Sequence, residues 1–163
     1  MSATASFIIL DKDKIETITS ASKIITRRKL FKKEITDNYY QTLEPISEFV
    51  DQFEGNGYIY GTIIVYIDQE KGIDITSGEL DQYSDTITKN RGASTIFFTQ
   101  KQKEQFNQLV KSLDFEGDKF KNFCFEFSGN EEEFKYAKEA VDTLSNSLNK
   151  ITDDSKALLL EIG

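Results

Sequence analysis

The segment Tyr58-Ile59-Tyr60-Gly61-Thr62-Ile63-Ile64-Val65-Tyr66-Ile67-Asp68 is the longest apolar run in the chain. It is almost wholly β-branched and aromatic, which favours a pleated, buried strand. Successive strand side chains point to opposite faces. Ile59, Gly61, Ile63, Val65 and Ile67 would then form one aliphatic face, and Tyr58, Tyr60, Thr62, Ile64 and Tyr66 the other. The segment reads as a sheet-centre strand with helices packed on at least one side. The Gly55-Asn56-Gly57 cluster ahead of it is no dinucleotide fingerprint, because such a loop must follow a strand and open a helix.

Other segments are placed around this one by period and by turn signals. Ser6 to Leu10 reads as a strand leading into a helix capped by Asp11, with Ile15, Ile18, Ser22 and Ile25 at helical spacing. The charged run Arg27-Arg28-Lys29-Leu30-Phe31-Lys32-Lys33 reads as a solvated helix end or as a basic patch for an acidic or phosphate-bearing partner. Pro45 sits where a helix would begin, and Ile46, Phe49, Val50 and Phe53 form an i, i+3, i+4, i+7 stripe. Ile73 to Thr76 would return as an antiparallel strand. A helix through Leu80, Tyr83 and Ile87 ends near Gly92, and Ser94 to Phe98 is a strand. Thr99 and Gln102 make a capping box, opening a helix whose stripe is Phe106, Leu109, Val110 and Leu113. Asn122 to Phe127 alternates Phe123, Phe125 and Phe127 as a strand. A second capping box, Asn130 to Glu133, opens a helix marked by Phe134, Ala137, Val141, Leu144 and Leu148, and Ala157 to Ile162 is a final strand. The expected fold is a single α+β domain over residues 1–163, with a mixed or largely antiparallel sheet of about five or six strands flanked by about five helices.

Composition removes whole classes of chemistry. The chain has 163 residues, no histidine and one cysteine, Cys124. Ser-His-Asp and Cys-His relays need an imidazole, and His/Cys zinc sites need ligands that are missing. Carboxylate, Tyr or Lys acid–base chemistry survives, but no EF-hand spacing is present. Neither a cofactor nor a metal is expected. Cys124, flanked by two phenylalanines, reads as an inert packing thiol. No signal peptide or spanning segment is recognisable, so a cytoplasmic location without membrane association is expected.

The net charge of −8 is uneven: residues 1–40 carry +3 and residues 41–163 carry −11. That balance argues against sequence-independent nucleic-acid binding and suits electrostatic steering of a basic protein partner. Tyrosine is enriched at protein interfaces. The candidate partner-binding set is therefore Tyr58, Tyr60, Tyr66, Asp68, Glu70, Asp74, Glu79, Asp81, Tyr83 and Asp85, a tyrosine face bordered by carboxylates; Tyr39 and Tyr40 are further tyrosines of interest.

Two stretches, Phe7-Ile8-Ile9-Leu10-Asp11-Lys12-Asp13-Lys14-Ile15 and Ala157-Leu158-Leu159-Leu160-Glu161-Ile162-Gly163, resemble the pattern of the YfbM-like family of small bacterial proteins. The Trp-containing middle segment of that family has no counterpart here. In type, a small acidic single domain without a catalytic motif, the chain is similar to bacterial toxin-immunity proteins. That resemblance implies a non-enzymatic inhibitor that occludes a toxin's or enzyme's active site. The alternatives are a carboxylate- or metal-dependent hydrolase and a structural subunit of a larger assembly.

Overall fold

A computed structural model describes residues 3–30, 32–129 and 132–163. In chain order the elements are β1 (Ala5–Asp11), α1 (Ile15–Ala21), β2 (Ile25–Lys29), β3 (Lys32–Thr36), α2 (Tyr39–Leu43), β4 (Ser47–Phe53), α3 (Ile59–Lys71), α4 (Asp81–Arg91), β5 (Ser94–Phe98), α5 (Gln100–Leu109), α6 (Asp118–Ser128), α7 (Ala137–Leu148) and β6 (Lys156–Ile162). Four strands form an antiparallel sheet in the order β4-β1-β6-β5, and β2 and β3 form a separate hairpin.

The sheet is covered on both faces, which explains why β1 and β6 read as continuous apolar runs. Phe7, Ile9, Phe53, Phe98, Leu158, Leu160 and Ile162 face the layer that holds α3, α5, α6 and α7. Ile8, Leu10, Phe97, Ala157 and Leu159 face α1, α2 and α4. The result is an α+β fold with a helical layer on each side of the sheet. Among the described residues, no helix is long and apolar enough to cross a membrane.

Three expectations are reversed. The run Tyr58–Asp68 is not a strand but most of α3, with Ile59, Tyr60, Ile63, Ile64, Tyr66 and Ile67 buried at helical spacing. Gly72 ends the helix in the left-handed conformation (φ 65°). β-branched residues cost a helix only about 0.7 kcal/mol each at most. Burying an aliphatic side chain gains about 1.5–3 kcal/mol, so packing outweighs propensity.

Asn122 to Phe127 likewise lies within α6. Phe120, Phe123 and Cys124 are buried while Phe125 and Phe127 are exposed, so the alternating phenylalanine face is not formed. Conversely, Phe49, Val50 and Phe53 of the expected helical stripe belong to the edge strand β4, with Ile46 in the turn before it. The register of β4 on β1 jumps from Phe7↔Asp51 to Ile8↔Phe49, a β-bulge at Val50. Here the sheet edge offers the backbone partners that the local pattern had assigned to a helix. Gly55-Asn56-Gly57 therefore follows a strand and opens a helix, the reverse of the order on which the exclusion of a dinucleotide fingerprint rests.

Smaller differences follow. Pro45 lies in a 3-10 turn, Glu44–Ile46. Ile73 to Thr76 is a loop in which Ile75 alone is buried. α1 stops at Ala21, so Ile25 starts β2, and the Asp11 carboxylate pairs with Lys156 at 2.6 Å instead of capping a helix. The sheet expected to hold five or six strands holds four. β5, β6, α4 and the Thr99–Gln102 capping box form as expected. Asn130 and Glu131 of the second box, and Phe31 of the basic run, lie outside the described residues.

Candidate binding site

The basic run forms neither a helix end nor a patch on the body but the tip half of the β2–β3 hairpin. Residues 23–36 hold six Lys/Arg and one Glu, a net of +5 against −8 for the whole chain and so −13 for the remainder. Ile25 to Arg28 and all of β3 are exposed. Leu30 in the turn is 91% exposed and Ile35 58%, with Ile24 and Ile25 also open. Arg28 stands directly opposite Lys33. A directly opposed like-charge pair destabilises a hairpin, and two-stranded ribbons are marginal on their own. Arg27 stands opposite Glu34, a favourable pair, but Arg28, Lys33 and the open apolar side chains sit on an element whose own stability they do not serve.

The end of α4 holds both roots of the hairpin. Asn90 Nδ2 donates to Ser22 Oγ at 2.8 Å, just before β2. The Arg91 guanidinium donates to both oxygens of Asp37, at 2.9 and 3.1 Å, just after β3. A bidentate pair of this kind fixes direction as well as distance. It holds the Asp37 carboxyl below the usual range through the Arg91 hydrogen bond. Arg91 also lies over the rings of Tyr39 and Tyr40, 4.3 and 5.1 Å from their centroids.

Behind this cluster, on the face of β6 that carries Ala157 and Leu159, stands Glu161. The fully buried Tyr39 donates its hydroxyl to Glu161 Oε1 at 2.6 Å. Burial pushes the Glu161 carboxyl up, with Tyr39 and Arg91 partly opposing it. Burial, and then the Glu161 charge, push the Tyr39 phenol up, so it stays protonated as the donor. A cavity of about 430 Å³ opens over Glu161, lined also by Ile8, Tyr40, Leu43, Glu44 and Phe49. Tyr40 and Phe49 remain 52% and 60% exposed.

The expected tyrosine face does not exist, because its strand is a helix. Tyr60 is fully buried against Phe7 and Phe53, and Tyr66 lies within a cluster with Phe115, Phe120 and Phe123. Tyr58 is exposed and Tyr83 half-buried. The carboxylates are engaged locally. Asp74 accepts from its own loop at Thr76, Asp81 accepts from the Gly78 amide, Glu79 pairs with Lys12, and Glu70 pairs with Lys119. Asp68 and Asp85 are exposed on α3 and α4. Among the described residues, no group of three or more acidic or Cys side chains is arranged to hold a metal ion. Cys124 is buried on α6, and desolvation together with Glu133 pushes its thiol up to about 11.

Sequence reasoning missed Asp37, Arg91 and Glu161. Glu161 alone left a readable signal: it interrupts an apolar strand on the side shared with Ala157 and Leu159. A scan against protein-family models, a search of curated proteins and a search of solved structures each return no match. The resemblances noted from the sequence therefore rest only on the residues that carry them, and function is argued from geometry.

Proposed function

We propose that this protein is a non-enzymatic binding protein of the immunity type, which inhibits a partner protein by covering its active site, and that the β2–β3 hairpin is its docking element. One observation carries the reading: a rooted hairpin on which Arg27, Arg28, Lys32 and Lys33, interleaved with Ile25, Leu30 and Ile35, are all exposed. Apolar anchors ringed by charges are the composition of an interface centre and rim. The charge of this element favours an acidic surface on the partner over the basic partner that the overall −8 suggests. Attraction to that surface would raise the association rate more than the affinity.

The test is a pull-down with the tagged chain from nuclease-treated extract of the source cells at low salt, beside the triple variant Arg27→Glu, Arg28→Glu, Lys33→Glu. The expected result is one stoichiometric protein, released as salt rises and not captured by the variant. The captured protein's activity should fall to background at equimolar chain. Capture that ignores the triple variant removes the docking role, and full partner activity at saturation removes the inhibitor role.

A further inference from the structure

We propose that the cavity over Glu161 is a binding site for a guanidinium or alkylammonium group carried on a short aliphatic stem. This inference stands apart from the hairpin, since it uses none of the hairpin's side chains. Three observations converge on it.

First, the formal charges on the lining side chains are those of Glu161 and Glu44, and no Lys or Arg lines the cavity. Arg91, which lies over the ring of Tyr40, is already bound through Nη1 and Nη2 to Asp37. Second, Glu161 is half-buried, accepts one hydrogen bond, from Tyr39 to Oε1, and makes no ion pair among the described residues. A carboxylate withdrawn from water in this way gains most from a charged donor. Third, the lining also offers apolar and aromatic surface, Ile8, Leu43, Phe49 and the ring of Tyr40, beside the polar but uncharged Thr4, Ser6 and Ser47. That surface accommodates methylene groups and ring-face contact with a cation, whereas the carboxylates of Glu161 and Glu44 disfavour an anion. The volume, about 430 Å³, lies within the range of small-ligand pockets.

A guanidinium fits better than a bare ammonium, because its planar fork can take both Glu161 oxygens or bridge from Glu161 toward Glu44. The same group could arrive on a free small molecule or as the side chain of a partner's arginine. The experiment separates these sources. The full chain, labelled with nitrogen-15, is titrated with 1-butylguanidine, with its neutral isostere N-butylurea, and with the blocked tripeptide acetyl-Gly-Arg-Gly-amide, following the amides of Tyr40, Ala93, Glu161 and Gly163.

The expected result is saturable shifts confined to the cavity for the guanidinium probes, with a Kd on the order of 1 mM for a fragment of this size, and none for the urea. Glu161→Gln keeps the shape and the Tyr39 hydrogen bond but removes the charge, and should weaken binding about tenfold. Glu44→Gln should weaken it less. Tighter binding of the tripeptide assigns the site to a partner's arginine side chain; binding of butylguanidine as tight or tighter assigns it to a free cation. Shifts of equal size with N-butylurea, or an unchanged Kd in Glu161→Gln, overturn the proposal. Either failure leaves the hairpin reading standing, because the triple hairpin variant does not touch this cavity.

Discussion

Gly61 is the position at which the helical nature of Ile59–Lys71 can be tested most sharply. It lies in the first turn of α3, and a Cβ built there meets nothing within 4 Å. Alanine therefore introduces no clash and removes the entropic cost of glycine in a helix, about 0.5–1 kcal/mol. Valine adds two carbons to that Cβ and is stiff at χ1, which returns much of that gain in a helix. For a domain of this length 1 kcal/mol moves Tm by about 2–4 °C. Gly61→Ala should thus raise Tm by about 1–4 °C, with Gly61→Val between it and the parent. In a pleated strand the order inverts, since β-branched residues are favoured there on a scale spanning about 1 kcal/mol. Urea and thermal unfolding followed by far-ultraviolet circular dichroism would rank the three proteins. Valine stabilising more than alanine would refute the helix and the packing built upon it.

Three further outcomes are expected. Glu161 has a folded pKa raised above its ordinary 4.5, so the folded state binds its proton more readily than the unfolded state and stability falls as pH rises through that window. Glu161→Gln should therefore raise Tm at pH 7, with the difference closing below the ordinary carboxylate pKa; a Tm deficit at pH 7 would show that the charge is stabilising. The hairpin triple variant should unfold within about 1 kcal/mol of the parent, because those side chains are exposed and the change disturbs only the Arg27–Glu34 cross-strand pair, and a larger loss by urea titration would mean that the hairpin is packed. Cys124, with its thiol near 11 and no exposure, should react with a thiol reagent at pH 7.4 only after unfolding. Stoichiometric labelling of the native chain within minutes would contradict that.

Where local chemistry and tertiary context agree, the elements were legible. Gly92 closes α4, Thr99 and Gln102 open α5, and the bounded runs Ser94–Phe98 and Ala157–Ile162 are strands. The errors fall where a segment carries two periods at once. Phe123, Phe125 and Phe127 alternate as a strand does, yet Phe120, Phe123, Cys124 and Phe127 also recur at i, i+3, i+4 and i+7. Gly129, in the left-handed conformation (φ 67°), closes the helix that prevails. The candidate site was nearly invisible because its members come from three distant segments: Asp37 to Tyr40, Arg91, and Glu161.

By itself the sequence determined the α+β class, the exclusion of imidazole-dependent chemistry, the buried thiol and the presence of a dense basic run. Those follow from composition and from short-range turn and capping chemistry, which act within a few residues. Only the tertiary structure decided whether Tyr60 and Tyr66 would be core or surface, because a strand and a helix expose different sides of the same residues. It also decided that the basic run would stand out from the body as a hairpin. Finally, it brought Tyr39 onto Glu161 across 122 positions of chain, a contact set by how α2 packs on β6 and by no local rule.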